Sequence, residues 1–147
     1  MRSKYRDHSA FVEEWLDDAG RGLDCERLLE LLQQAVRVVW DSARVSISDV
    51  TLDAVLERVV INARDHFPWL PALPVVHSSI DTSVLRAHCG RAKLGEILKA
   101  SRFIVTEFLA INGNLTGEAL TPAMHRGLAK ARWKKPKDSP KSGESAL

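Results

Sequence analysis

Five histidines (His8, His66, His77, His88, His125) and two cysteines (Cys25, Cys89) are the side chains of this chain that could ligate a soft or borderline metal. A zinc site needs paired Cys/His spacings, because one short turn has to aim two donors at one ion. No such pairs occur, and the adjacent His88 and Cys89 would diverge on a helix. No metal or cofactor is expected, and these residues read as ordinary partly buried or surface side chains. Glu13, Glu14, Asp17 and Asp18 crowd a short segment at i, i+4 spacing. Like charges so spaced repel and favour a solvated face over an acid–base pair. A nucleophile-elbow serine, a Walker glycine loop and a dinucleotide fingerprint are all missing from the sequence, so no catalytic residue is assigned.

Two short stretches match known patterns. Residues Lys93 to Leu109, KLGEILKASRFIVTEFL, resemble the helix-turn-helix of bacterial repressors. The resemblance implies a first helix closed by Leu98, a turn at Lys99, Ala100 and Ser101, and a recognition helix from Arg102 with Val105 and Phe108 packed inward. Arg102, Thr106 and Glu107 would then face a DNA groove, where arginine can meet guanine and threonine a thymine methyl. Residues His88 to Gly95, HCGRAKLG, loosely resemble histidine phosphotransfer domains. The family's lysine and glycine, three and four residues after the phosphorylated histidine, are replaced here by Arg91 and Ala92.

Charge is uneven along the chain. The total is 21 basic against 19 acidic residues. From residue 130 onward Lys130, Arg132, Lys134, Lys135, Lys137 and Lys141 face only Asp138 and Glu144, which leaves the preceding body weakly acidic. A basic end suits nucleic acid, an acidic partner or an anionic surface. Pro136, Ser139, Pro140, Ser142 and Gly143 make residues 134–147 read as a disordered basic tail. Two cysteines cannot build a disulfide framework, no apolar run is long enough to span a bilayer, and residues 1–7 lack a signal-peptide core, so a cytoplasmic protein is expected.

The elements that must position these side chains read as helices nearly throughout, because apolar residues recur at steps of three and four. A first helix is expected after Ser9, ending at Gly20 and Gly22. A second starts at Asp24 and carries an apolar stripe from Leu28 to Ala43 that is wider than a surface helix needs. A third opens at Ser48 or Thr51 and must stop near Pro68. Pro68, Pro71 and Pro74 punctuate an extended connector to Ser79, too apolar at Trp69, Leu70 and Leu73 for a free linker and read as packed on the bundle. A short helix from Ser79 or Asp81 to Cys89, stopped by Gly90, precedes a long one from Ala92 to Ile111 that Asn112, Gly113 and Asn114 should end. Thr121 and Pro122 open the last, expected to reach about Trp133.

The architecture expected is therefore all-α: a single compact bundle of five to six helices over residues 1–133, with the Pro-rich crossover and the tail. Function reads first as a non-enzymatic regulatory or adaptor module that binds another protein, or a second copy of itself, through apolar stripes left uncovered on helices two and five. The second reading is a DNA-binding regulator using Arg102, Thr106 and Glu107, assisted by Lys130, Arg132, Lys134 and Lys135.

Overall fold

The structure, a computed structural model, describes residues 7–90 and 94–134. It is an all-α bundle with six helices among these residues: α1 (His8–Ala19), α2 (Cys25–Ala43), α3 (Asp49–His66), α4 (Ser83–Arg86), α5 (Leu94–Leu115) and α6 (Thr121–Lys130). A hairpin of two-residue strands, β1 (Val75–Val76) and β2 (Ser79–Ile80), lies between α3 and α4. Of the described helices, none is long and apolar enough to cross a membrane. Residue 135 onward, and with it Lys135 and most of the expected tail, lies outside the described residues.

Helix starts follow side-chain chemistry. Asp24 and Ser48 cap α2 and α3 by accepting from Arg27 N and Thr51 N, at 2.9 Å and 3.2 Å. At α1 the cap is Asp7, accepting from Ala10 N at 2.9 Å, rather than Ser9, because the carboxylate two residues upstream reaches the same free amides. α3 stops at Phe67, one residue before Pro68.

The core is built on two helices. α2 buries nine residues, among them Leu28, Leu31, Leu32, Val36 and Val39, against α5, α6, α4 and β2. α5 buries Ile97, Ile104, Val105, Phe108 and Leu109 against α1, α2, α3 and α6. The apolar stripes expected to be left open on helices two and five are thus covered from several sides. The exposed large apolar residues, such as Val45, Val50, Ile61 and Leu115, are scattered over different elements.

Four local expectations are corrected. The turn at Lys99, Ala100 and Ser101 does not exist: α5 is one continuous helix there, with Ala100 and Ser101 buried. Asn112 and Gly113 do not stop α5 but lie buried inside it, and it closes beyond Leu115, where Gly117 (φ 58°) and Glu118 (φ 69°) turn the chain and Glu118 N donates to Gly113 O at 2.6 Å. Gly113 is a contact glycine, since a Cβ there would come within 2.7 Å of Glu118 Oε1. The segment after Pro74 forms the hairpin, with Val75 opposite Ile80 and a reversal at His77 and Ser78, both at positive φ. Ser79 therefore belongs to a strand, α4 spans only Ser83–Arg86, and Gly90 is not left-handed.

The fourth correction concerns the cysteines. Cys25, the first residue of α2, is disulfide-bonded to Cys89, which follows α4, with Cα atoms 5.6 Å apart and a sequence separation of 64. The same hairpin and α4 segment is tied to α2 by Ser79 Oγ donating to Gln33 O (2.8 Å) and Thr82 Oγ1 donating to Gln33 Oε1 (2.6 Å). Arg86 adds an ion pair to Glu30 at 4.0 Å. Closing a loop of this length removes unfolded-state entropy worth about 4 kcal/mol in the chain-entropy model. Reduction, or the pair Cys25→Ser and Cys89→Ser, is expected to lower thermal stability by about 2–4 kcal/mol. Calorimetry of the oxidised and reduced protein measures this, and equal melting temperatures would contradict it.

Candidate functional site

Surface sites on this fold have to be made from polar faces, since the apolar ones are used internally. A cleft of about 430 Å³ runs between α2 and α6. It exists because Gly127 lets α6 approach closely: a Cβ there would lie 2.9 Å from both Ser42 Oγ and Val38 Cγ1 of α2. Val38 and Ala131 supply apolar lining, and Arg37, Lys130, Arg132 and Lys134 bring four cations against one carboxylate, Asp41.

The cations differ in freedom. Arg132 is fixed, donating from Nη1 to Ala129 O and Ala131 O (3.0 and 2.7 Å) and from Nη2 to Asp18 Oδ2 of α1 (2.7 Å). Arg37, Lys130 and Lys134 are exposed and make no ion pair within 4.0 Å among the described residues. Their charge is therefore available to an incoming anion.

The α6 wall is held by specific joints. Trp15 Nε1 donates to Ala131 O at 3.0 Å, and Trp133 Nε1 donates to Glu30 Oε1 at 2.6 Å beneath the Arg27 guanidinium, 4.9 Å from the indole centroid. At the other end His8 Nδ1 meets His125 Nε2 at 3.0 Å, and His8 Nε2 lies 3.4 Å from Glu118 Oε1, which accepts from Thr121 Oγ1. His125 stacks on Phe11 at 4.0 Å. Burial, and next the nearby His8, hold the His125 imidazole below its usual pKa, against an opposing pull from Glu118.

The expected site residues separate into two groups. Lys130, Arg132 and Lys134 line the α2–α6 groove. Arg102, Thr106 and Glu107 lie on α5 in a different cleft of about 230 Å³ that also takes in Ser9, His66, Phe67, Lys99 and Phe103. Arg102 pairs with Glu13 of α1 at 3.3 Å, and Thr106 Oγ1 is buried with no hydrogen-bond partner among the described residues. α5 packs against α1 and α3 on either side of this cleft. His88 lies in the turn after α4, not on a helix, and its counterparts Arg91 and Ala92 lie outside the described residues. Among the described residues no three His, Cys, Asp or Glu side chains gather to hold a metal.

The α2 half of the groove escaped the sequence reading, although Gln34, Arg37 and Asp41 recur at steps of three and four as a polar line on an otherwise apolar helix. Gly127, inside a short helix, is the other sign of a close approach. Comparison with protein-family models, curated proteins and solved structures gives no match.

The depressed His125 pKa fixes the sign of one pH effect. The unfolded chain binds a proton there more readily than the folded one, so this contribution is complete above the unfolded pKa near 6.5 and is lost as pH falls through the folded value below it. Thermal stability is expected to drop as pH falls below about 6.5, and His125→Gln to flatten that dependence. Melting curves across this range measure both, and an unchanged slope in the variant would exclude His125 as the source of the dependence.

Proposed function

We propose that this protein is a non-enzymatic regulatory or adaptor module that captures an acidic, amphipathic segment of another protein in the α2–α6 groove. The observation that carries the reading is the convergence of Arg37, Lys130 and Lys134, none of them in an ion pair among the described residues, around an apolar lining supplied by Val38 and Ala131. An acidic helix laid there would bury an apolar residue over Val38 and set its carboxylates toward the rims. The covered stripes of α2 and α5 move the contact away from the apolar surface expected from sequence and onto this basic one.

Nucleic acid is the second reading, favoured by the run of basic residues that continues from Lys130 to Lys141. It would be bound through phosphates, with no base readout from α5. The disulfide also bears on place. Such bonds persist in oxidising surroundings and are kept reduced in the cytosol, so we assign the fold with its bond closed to an oxidising compartment instead of the cytoplasm.

Fluorescence anisotropy of the full chain tests the reading with a labelled Glu/Leu amphipathic peptide and a labelled random-sequence duplex. The peptide is expected to bind saturably, and Arg37→Ala and Lys130→Ala each to weaken it roughly fivefold, the size of one exposed charge contact. Salt-sensitive binding of the duplex alone would replace the first reading with the second. Peptide affinity unchanged in both variants would overturn the assignment of the groove.

A further inference from the structure

We propose that the cleft between α1, α5 and the end of α3 binds a small aromatic carboxylate carrying a hydrogen-bond donor on the far side of its ring. The proposal is independent of the α2–α6 groove, with which this cleft shares no lining residue.

Its order along α5 sets the ligand's polarity. Lys99, Arg102, Phe103, Thr106 and Glu107 fall at helical spacing on one face, so the cations, the ring and the polar pair follow one another over about 12 Å of helix. Phe103 stacks with His66 at 4.8 Å and an interplanar angle of 21°, and Phe67 stands edge-on to Phe103 at 5.7 Å. These rings present a wall against which a planar ligand can lie. The cations are not locked: Arg102 meets Glu13 at 3.3 Å and Lys99 meets Glu96 at 4.0 Å, in pairs whose side chains are all 42% exposed or more. Such pairs are worth little in water, so a ligand carboxylate can compete for both heads.

One turn further along, Thr106 Oγ1 is buried and unpartnered among the described residues, and Glu107 lines the same cleft. A buried hydroxyl without a partner is costly, and it gains one from a ligand group that donates to it or accepts from it. Glu107 only accepts when ionised, which selects a donor at that end of the ligand. Cations at one end and an acceptor pair at the other reject a simple aromatic amine and disfavour an aromatic acid with no donor. A volume of about 230 Å³ limits the ligand to one ring or a compact fused pair.

The probes are 4-aminobenzoate, benzoate, which lacks the donor, and aniline, which lacks the acid. Chemical-shift titration of ¹⁵N-labelled full-length protein is expected to show saturable shifts for 4-aminobenzoate, centred on residues 99–107 and 66–67. Benzoate should bind roughly three- to tenfold more weakly, as for one lost hydrogen bond, and aniline should give no saturable shift. The double variant Lys99→Ala/Arg102→Ala should weaken 4-aminobenzoate at least tenfold, and Thr106→Val should remove its advantage over benzoate. Lys130→Ala, in the other groove, should change nothing. Circular dichroism confirms that each variant is folded. No saturable shift with 4-aminobenzoate, shifts spread over the surface, or equal affinity in the double variant would overturn the proposal.

Discussion

The structure depends on the burial of two helices that are apolar over much more than one narrow face. α2 and α5 pack on each other, and each still has further apolar surface to cover. At about 25 cal/mol per Å² of apolar area, leaving either partly exposed would cost more than a domain of this size has to spare. Everything else in the fold serves as cover. α1 and α3 close the open sides of α5, while α6, α4 and the hairpin close those of α2. The disulfide and the Gln33 hydrogen bonds make sense on this view, because α4 spans only four residues and the strands two each, too little to stay docked by their own packing.

That division of labour explains which surfaces remain for function. Once the apolar stripes are spent internally, the two clefts described lie at seams between packed helices, lined by residues flanking the stripes. On α2 these are Gln34, Arg37 and Asp41, and on α5 Lys99, Arg102 and Glu107. Both clefts are consequently charged at the rim and apolar within, which suits ligands with a fixed charge and a short apolar body.

Much of this was legible in the sequence. Period and breaker residues place the long helices to within a few positions, because Asp24, Ser48 and Pro68 act on the backbone locally. The failures share a cause: they depend on what the folded chain brings into contact, not on the pattern at the residue itself. Gly113 looked like a stop signal, but its role is set by Glu118 and Thr121 folding back on it. His77 and Ser78 lack the Asn-Gly signature of a tight hairpin, and only docking of the hairpin on α2 holds them at positive φ. Cys25 and Cys89 meet because α4 returns to the start of α2, which no local pattern encodes. Arg102, Thr106 and Glu107 do share a face, as the repressor-like spacing required, yet the same spacing is met by one unbroken helix, and it was α1 that decided their surroundings.

The two clefts also differ in how firmly they are built. The α5 cleft has Arg102, Phe103 and Thr106 on a central helix braced from four sides, so the backbone that carries its ring and cations is held by the core itself. One wall of the α2–α6 groove is equally firm, but the other is a ten-residue helix whose seat depends on Gly127 and on discrete polar joints. These are the His8–His125 contact at one end and the Trp15 and Arg132 hydrogen bonds at the other. Polar joints at a surface respond to protonation and salt, where apolar packing does not. The seat of α6 therefore depends in part on His125 and on the exposed Arg132–Asp18 pair, whereas the frame of the α5 cleft rests on apolar packing.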